Sequence, residues 1–221
     1  MNLSVVTLTD GKQDLSRLRA SLPPGTQHII CVCKQDKYAV APKVVKVAEE
    51  QNVIILNYLY YNFERHFDFS EARNFASEFA TGKFIFHIDS DEWIGNPPEY
   101  TAEYIQALTE SPAHLVYISI SGVGVPQDDR PRERYCLPSL RLYRNGRNIR
   151  WVGICHEYIK DSDFEIADSE LILLHDGYTD QETMLGKAER NAKLLIREYV
   201  RDPSSRNWEY LKRTFSNLLK R

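Results

Sequence analysis

A run of apolar and aromatic residues that ends abruptly in carboxylates constrains this sequence more than any other feature. The run comprises Phe84-Ile85-Phe86-His87-Ile88, and Asp89-Ser90-Asp91-Glu92-Trp93 follows it directly. An apolar run of this length predicts a strand that is buried on both faces. In an open α/β sheet, ligands bind where such strands end. We therefore expect a ligand site immediately after Ile88.

The two aspartates at the end of this run suggest what the ligand is. Asp89 and Asp91 are two positions apart, so their side chains point the same way on an extended backbone. Converging carboxylates repel each other unless a cation lies between them, and Mg²⁺ or Mn²⁺ is the simplest partner. These ions also bind water and substrate phosphates, so the pattern predicts a diphosphate ligand. An acidic turn that caps the next helix is the alternative.

The chain contains a second copy of the tripeptide, Asp161-Ser162-Asp163, which serves as an internal comparison. It lies in the polar segment 160–165, and no apolar strand leads into it. A short motif is only as informative as its structural context. The first copy alone therefore predicts a metal site.

Strand-like and helix-like patterns alternate along the first part of the chain. Strands are predicted at 3–8, 28–33 and 53–56, and helices at 14–22 and 42–51. This order predicts an α/β fold with a Rossmann-like, mixed but mainly parallel sheet flanked by helices. No Gly-x-Gly-x-x-Gly follows the first strand, which argues against a dinucleotide dehydrogenase.

The 221 residues suit one α/β domain with an extension. We expect the domain over residues 1–180, with a nucleotide-binding half at 1–95 and an acceptor-binding half at 96–180. The remaining residues, 181–221, predict a C-terminal extension of two helices separated by Asp202-Pro203. Their apolar faces are expected to pack on the core, with a membrane surface or a second copy as alternatives. The oligomeric state stays open.

No long apolar segment occurs in the sequence. No run approaches the ~20 apolar residues of a transmembrane helix, and the first residues lack the basic and apolar regions of a signal peptide. We therefore expect a cytoplasmic protein without a transmembrane segment. The four cysteines lack Cys-x-x-Cys spacing, so buried thiols are expected rather than zinc ligands or disulfides.

A helix is predicted just before the apolar run. Ser70 is expected to cap it, and Thr81-Gly82 to end it. An apolar stripe recurs at helical spacing along it: Ala72, Phe75, Ala76, Phe79 and Ala80. Arg73 and Asn74 lie near its N-terminus on the opposite face, where a guanidinium and an amide suit a phosphate. A solvated polar face is the alternative.

Arginines dominate the segment 130–150. It contains seven of them and one acidic residue, Glu133. The arginines are residues 130, 132, 134, 141, 144, 147 and 150. Like charges without compensation favour an anionic partner over a merely solvated face. Two further predicted strands end in ionisable groups, at His156-Glu157 and at His175-Asp176.

Several segments together resemble the family 2 glycosyltransferases of GT-A fold. The resembling blocks are residues 69–76, 80–85, 88–93, 141–145, 151–153, 156–157, 175–178 and 187–191. In the family these blocks read "seARN", "lDaDE", "RlfRn", "w.G.vHE" and "HyGY...K..Rn". The match runs in consistent order over residues 3–203.

The resemblance implies that a sugar is transferred, usually with inversion, from a nucleotide-diphosphate donor to a hydroxyl acceptor. It implies Mn²⁺ or Mg²⁺ held by Asp89, Asp91 and His175. On the donor side, Thr9 and Asp10 would border the nucleobase. Arg73 would lie near the diphosphate, and Asp89 and Ser90 would contact the ribose or the sugar.

The same resemblance implies an acceptor side. Glu157 falls where a carboxylate takes the acceptor's proton, and Asp91 acts with it in catalysis through the metal. Trp151, His156 and Arg141 would contact the acceptor. Many relatives recognise uracil through an aspartate that ends the second strand, whereas this chain has Cys33-Lys34-Gln35-Asp36. A UDP-sugar remains the expected donor.

The acceptor and two competing functions stay open at this point. An anionic acceptor could be a saccharide, a lipid-linked intermediate or a modified nucleic acid. A sugar-phosphate nucleotidyltransferase is one alternative function, although Thr9-Asp10-Gly11-Lys12 is too short for the basic, glycine-rich loop such enzymes need. The other is a non-catalytic module that binds an anionic partner through residues 130–150.

Overall fold

The computed structural model describes residues 2–38, 43–122, 136–160, 163–176 and 181–219. The strands are β1 (Leu3–Thr9), β2 (Gln27–Gln35), β3 (Lys43–Glu50), β4 (Val53–Tyr60), β5 (Phe84–His87), β6 (Glu92–Ile94), β7 (Leu115–Gly122), β8 (Cys136–Arg144), β9 (Trp151–Val152), β10 (Tyr158–Ile159) and β11 (Ile166–His175). The helices are α1 (Ser16–Ser21), α2 (Phe63–His66), α3 (Phe69–Ser77), α4 (Pro98–Leu108), α5 (Gln181–Arg201) and α6 (Ser205–Leu219).

Among these residues, nine strands form one sheet in the order β3-β4-β2-β1-β5-β8-β7-β11-β6. Strands β1, β2, β4, β5, β7 and β11 run in one direction, and β3, β6 and β8 run in the other. Strands β9 and β10 form a separate antiparallel ribbon. The predicted α/β class, with a mixed and mainly parallel sheet flanked by helices, is confirmed.

The central strands are buried on both faces, as the apolar runs predicted. Every residue of β1 and of β5 is buried. Val6 of β1 packs in a cluster with Ala72 of α3 and Leu195 of α5, whereas its neighbour Val5 packs with Leu18 of α1 in a second cluster. Adjacent residues of a strand face opposite sides of a sheet, so helices cover both faces. The polar residues that follow these strands are more accessible, since Asp10 after β1 is exposed and Asp89 after β5 is partly exposed.

The helix predicted at 42–51 is wrong, because residues Lys43–Glu50 form the edge strand β3. The strand pairs antiparallel with β4, and the connection is a two-residue turn of Gln51 and Asn52, with φ of 41° and 69°. Two central residues with positive φ give the tight turn whose twist matches a β-hairpin. Valines at this spacing also favour a strand, which the helical interpretation neglected.

Two smaller features before the acidic run also differ from expectation. Asp68, not Ser70, is the N-cap of α3, since its Oδ1 accepts a hydrogen bond of 3.0 Å from the amide of Glu71. The Ser70 hydroxyl donates to the same Asp68 oxygen at 2.8 Å. The strand predicted at 53–56 is longer than expected, because β4 continues to Tyr60, and α2 follows it.

The C-terminal extension consists of the two predicted helices, and its packing is only partly as expected. On α5, Ala192 and Leu195 are buried in the core. On α6, Leu211 is buried, but Trp208 and Phe215 remain 46% and 41% exposed. No helix in the described part of the chain is long and apolar enough to cross a membrane. The division at residue 180 stays a prediction.

We expect the protein to lose stability in mild acid because of His28. This side chain is 2% exposed in β2, and burial together with the charge of Arg19 lowers its pKa to about 4. In the unfolded chain the pKa is about 6.5, so below that pH the unfolded state takes up a proton that the folded state refuses. Between pH 7 and pH 5 the free energy of unfolding should therefore fall by about 2 kcal/mol from this group.

Urea unfolding of the wild type and of His28→Gln at the two pH values tests this expectation. Glutamine can still bond Thr7, whose hydroxyl lies 3.0 Å from His28 Nε2, but it carries no titratable group. The variant should lose less stability between pH 7 and pH 5 than the wild type. Equal losses in both chains would rule out His28 as the source.

Candidate active site

A cavity of about 580 Å³ opens at the edge of the sheet where β1, β2, β4 and β5 end. Its lining includes every site residue predicted from the sequence: Thr9, Asp10, Arg73, Asp89, Ser90, Asp91, Arg141, Trp151, His156, Glu157 and His175. Segments that lie far apart in the sequence thus meet at one place. The roles assigned to these residues remain predictions.

The acidic run is a turn and not an extended strand. Strand β5 ends at His87, and the amide of Glu92 donates a hydrogen bond of 3.0 Å to the carbonyl of Asp89. The expectation that Asp89 and Asp91 point the same way on an extended backbone is therefore wrong. Both side chains still line the cavity, but each has its own set of partners.

Asp89 lies between two arginines. Its Oδ1 accepts a hydrogen bond of 2.6 Å from Arg73 Nη2, and its Oδ2 accepts one of 3.1 Å from Arg141 Nη2. Arg73 also donates from Nε to Glu157 Oε1 at 2.6 Å. The Arg73 side chain is 4% exposed and that of Arg141 is 13% exposed. These four residues, which we call the arginine–carboxylate cluster, link α3, the acidic turn, β8 and the β9–β10 loop.

Burial and charge act in opposite directions on the acids of this region. Burial raises the pKa of Asp89, but the charges of Arg141 and Arg73 outweigh it and hold the pKa well below its usual range. Burial also raises the pKa of Glu92, which is 4% exposed. The charge of Arg141 lowers this pKa but does not offset the effect of burial. Glu92 Oε2 accepts a hydrogen bond of 2.8 Å from the Asp89 amide, so Glu92 stabilises the turn.

Asp91 and His175 meet because β11 pairs antiparallel with β6. In that register His175 lies opposite Glu92, next to Asp91. His175 Nε2 is 3.2 Å from Asp91 Oδ2, and Lys187 Nζ of α5 is 2.9 Å from the same oxygen. Burial raises the pKa of Asp91, but the hydrogen bonds from His175 and Lys187 reverse the shift and lower it. For His175, burial lowers the pKa and the bond to Asp91 raises it above its usual value.

Mn²⁺ and Mg²⁺ are the ions expected from the sequence, and both bind carboxylate oxygens. No three His, Cys, Asp or Glu side chains in the described ranges come together as a metal cluster. Both oxygens of Asp89 bind arginines. Asp91 Oδ2 and His175 Nε2, by contrast, lie 3.2 Å apart, which is a distance that two neighbouring ligands of one metal ion can have. Two protein ligands suffice when substrate phosphates and water complete the shell. Asp91 and His175 can supply two such ligands if the ion replaces the hydrogen bonds that His175 and Lys187 make with Asp91.

The other predicted site residues make mainly internal contacts. Thr9 donates from its hydroxyl to Gln13 Oε1 at 2.6 Å, and Asp10 Oδ1 accepts from the amide of Lys12 at 3.0 Å. Trp151 is 4% exposed, and its ring lies 5.0 Å from the Arg73 guanidinium. The ring of His156 stacks on Tyr210 with the centroids 4.5 Å apart.

The arginine segment is partly compensated by acidic and carbonyl groups. Arg130, Arg132 and Arg134 lie outside the described residues. The expectation of uncompensated charge is wrong for Arg141, which pairs with Asp89 and Glu92. Arg144 donates to the carbonyls of Leu108, Ser111 and Ala113, where it closes the end of α4. Arg150 lies 3.5 Å from Glu78.

Sequence reasoning gave no role to two groups of residues that line the cavity. An aromatic group from β4, α2 and α3 lines one part of it: Tyr60, Phe63, Phe67 and Phe69. A group from the C-terminal helices lines another part: Lys187, Arg190, Asn191, Arg206 and Tyr210. Residues 187–191 belong to the blocks that resemble the family, but nothing in the sequence pattern indicates that α5 returns to the site.

The fold is that of an α/β protein, and a cavity lined by charged residues opens at the carboxyl edge of its sheet. No family model matches this chain. No curated protein matches it either.

Solved structures of TarS from S. aureus are similar to this chain. The structure of TarS residues 1–349 aligns with a TM-score of 0.47 and 14% identity, over 93% of this chain and 74% of that one. Its complex with UDP-GlcNAc aligns with a TM-score of 0.48 and 15% identity, over 89% and 66% of the two chains. A further structure of TarS aligns with a TM-score of 0.46 and 12% identity, over 90% of this chain and 40% of that one. A likeness at this level carries no functional argument.

Proposed function

We propose that this chain is a metal-dependent glycosyltransferase of the GT-A kind. It would move a sugar from a nucleotide-diphosphate donor, expected to be a UDP-sugar, to a hydroxyl group of an acceptor with inversion. One observation carries the proposal. The site residues predicted from the sequence, which extend from Thr9 to His175 along the chain, line one cavity of about 580 Å³, a volume within the range of small-molecule sites.

The cavity offers different chemistry to the two parts of such a donor. The aromatic residues Tyr60, Phe63 and Phe69 supply an apolar wall suited to a nucleobase, with Thr9 and Asp10 beside it. Lys187 and Arg190 supply positive charge suited to the diphosphate. Asp91 and His175 would hold the Mn²⁺ or Mg²⁺, which when bound stabilises the negative charge of the departing nucleoside diphosphate.

The arginine–carboxylate cluster would orient the Glu157 carboxylate toward the acceptor. An inverting displacement needs a base on the side opposite the leaving group, and Glu157 is our candidate. Arg73 binds Oε1 of Glu157, so Oε2 is the oxygen that would take the acceptor's proton. Because Arg73 also binds Asp89, the same guanidinium would couple the base to the donor side of the cavity. Its action on the diphosphate would then be indirect.

The residues expected on the acceptor side of the cavity are charged or aromatic. Arg141, Trp151 and His156 were expected to contact the acceptor, and each of them also binds or stacks on a neighbouring side chain. Arg190 and Arg206 add positive charge to the same cavity. An anionic acceptor, whether a saccharide, a lipid-linked intermediate or a nucleic acid, therefore remains part of the proposal.

Thermal unfolding with a panel of nucleotide sugars, with and without Mn²⁺, tests the donor. A ligand at 100 times its Kd stabilises the folded state by about 2.7 kcal/mol, which corresponds to a shift of roughly 5 °C or more at this size. We expect one nucleoside class, UDP-sugars, to give such a shift, and only when Mn²⁺ is present. Equal shifts with and without the metal would remove the metal from the proposal.

We expect Asp91→Ala to abolish the Mn²⁺-dependent part of donor affinity. The substitution removes a carboxylate ligand, and loss of such a ligand typically weakens metal binding by much more than tenfold. Calorimetric titration of UDP with Mn²⁺ measures the change. Asp163→Ala is the matched control, because it removes an exposed aspartate from the second Asp-Ser-Asp tripeptide. Unchanged affinity in Asp91→Ala would contradict the metal assignment.

The two other functions would give different results. A binding module would show the affinity without turnover, whereas a transferase should release UDP when an acceptor is supplied. A nucleotidyltransferase should form a nucleotide sugar from a sugar phosphate and a nucleoside triphosphate. Separating the nucleotides after each incubation identifies which product has formed.

A further inference from the structure

The loop at 153–157, between β9 and β10, has an unusual backbone. It carries Glu157, and both Gly153 and His156 have positive φ, at 97° and 53°. A left-handed conformation costs a residue other than glycine about 1–2 kcal/mol. Such a conformation persists only where the surroundings hold it. The contacts around His156 therefore decide where Glu157 points.

Helix α5 holds the first part of this loop through Glu198. The side chain is 5% exposed, and its Oε2 accepts a hydrogen bond of 3.1 Å from the amide of Cys155. Its Oε1 lies 2.9 Å from the place where a Cβ atom at Gly153 would be. The loop and Glu198 thus fit closely, and Glu198 is not among the residues that line the cavity.

Helix α6 holds the second part of the loop through Arg206 and Tyr210. Arg206 Nη2 donates to the carbonyl of His156 at 2.5 Å, and its guanidinium lies 3.8 Å from the centroid of the Tyr158 ring. The ring of Tyr210 stacks on that of His156 at an interplanar angle of 14°. Both the backbone and the side chain of the left-handed residue are thus bound by one helix.

We propose that the two C-terminal helices position Glu157 by holding this loop, with Glu198, Arg206 and Tyr210 as positioning residues. The proposal rests on the proposed function, in which Glu157 takes the acceptor's proton. If the contacts are lost, His156 can return to a common backbone conformation, and the direction of the next side chain changes with it. A displacement of about 1 Å at a reacting group can lower a rate by 10²-fold. The residues proposed to bind the donor lie outside this loop, so donor affinity should persist.

Glu198→Ala and its conservative partner Glu198→Gln test the α5 contact. Glutamine retains an oxygen that accepts from the Cys155 amide, whereas alanine does not. In Glu198→Ala we expect amide hydrogen exchange at Cys155 to rise at least tenfold and kcat to fall at least tenfold, with UDP affinity within twofold of wild type. Glu198→Gln should restore both quantities to within threefold. A merely structural loss would lower UDP affinity as well.

The two readouts separate this proposal from the proposed function. Amide exchange reports on the loop whether or not any transfer is found, while a wild-type chain that transfers no sugar would show the failure of the function itself. Slow exchange in Glu198→Ala, or fast exchange with unchanged kcat, would overturn the positioning role. If Glu198→Ala does not fold, Arg206→Ala and Arg206→Lys test the α6 contact through hydrogen exchange of the loop amides alone, because Arg206 also lines the cavity. Lysine can still donate to the His156 carbonyl, so only the alanine variant should exchange faster.

Discussion

Replacement of Asp89 by asparagine is expected to lower the free energy of unfolding by about 3 kcal/mol. The carboxylate lies between two arginines whose side chains are 4% and 13% exposed. Removal of one partner from a buried ion pair costs about 3–5 kcal/mol, and the Asp89 side chain itself is 32% exposed. We expect the low end of that range, because Arg73 keeps Glu157 and Arg141 keeps Glu92.

Urea unfolding at pH 7 measures this loss, and Asp176→Asn is the matched control. Asp176 binds one arginine, Arg17, at 3.2 Å, but the two side chains are 45% and 63% exposed. An exposed pair of this kind contributes about 0–1 kcal/mol. Because the folded pKa of Asp89 is lowered, its stabilisation is present above the unfolded pKa and is lost only in strong acid. The difference in the free energy of unfolding between wild type and Asp89→Asn should thus be the same at pH 7 and pH 6. If Asp89→Asn loses no more of this free energy than the control does, the cluster does not depend on Asp89.

The same cluster shows what the sequence could predict and what it could not. The run at 84–93 predicted a buried strand with a polar site at its end. A strand that is buried on both faces requires apolar residues, and polar residues can follow where the strand ends. It could not predict the turn at Asp89, since a turn depends on the hydrogen bond that Glu92 makes with it. Nor could it predict that Arg141, from β8, would reach the first aspartate.

Local pattern failed where two secondary structures fit the same residues. Valines at 44, 45 and 47 suit one face of a helix and also suit a strand. These residues form a strand because they pair with β4, and the periodicity of one sequence does not reveal such a pairing. In the same way, periodicity located α5 and α6 but said nothing of where they return. Lys187, Arg206 and Tyr210 were therefore missed, although they line the cavity.

The family resemblance added what periodicity could not, because its blocks come from residues that meet in space. The blocks at 69–76 and 156–157 are far apart along the chain, yet Arg73 and Glu157 are 2.6 Å apart. The block at 175–178 supplies His175, which lies 3.2 Å from Asp91. Residue types at such positions can be found in a sequence, but their hydrogen bonds cannot. The sequence placed Arg73 and Arg141 at the site, but it did not show that both bind Asp89.

Glu157→Gln is expected to lower kcat by about 10³-fold while donor affinity stays within about threefold of wild type. General bases contribute typically 10²–10⁴-fold to a rate. Glutamine cannot take a proton at neutral pH, but its carbonyl oxygen can still accept from Arg73 Nε, which binds Oε1 of Glu157 at 2.6 Å. The fold of the cluster should therefore survive, and the loss should fall on the chemical step.

Release of UDP in the presence of acceptor gives kcat, and calorimetry with UDP and Mn²⁺ gives donor affinity. Glu78→Gln is the matched control, because Glu78 also faces an arginine, Arg150 at 3.5 Å, but the two side chains are 53% and 50% exposed and lie outside the cavity. The control should keep the wild-type kcat. Near-normal turnover in Glu157→Gln would remove Glu157 from the mechanism, since no other step requires a carboxylate there. Equal losses of kcat and of donor affinity would instead assign Glu157 to the ion pair with Arg73.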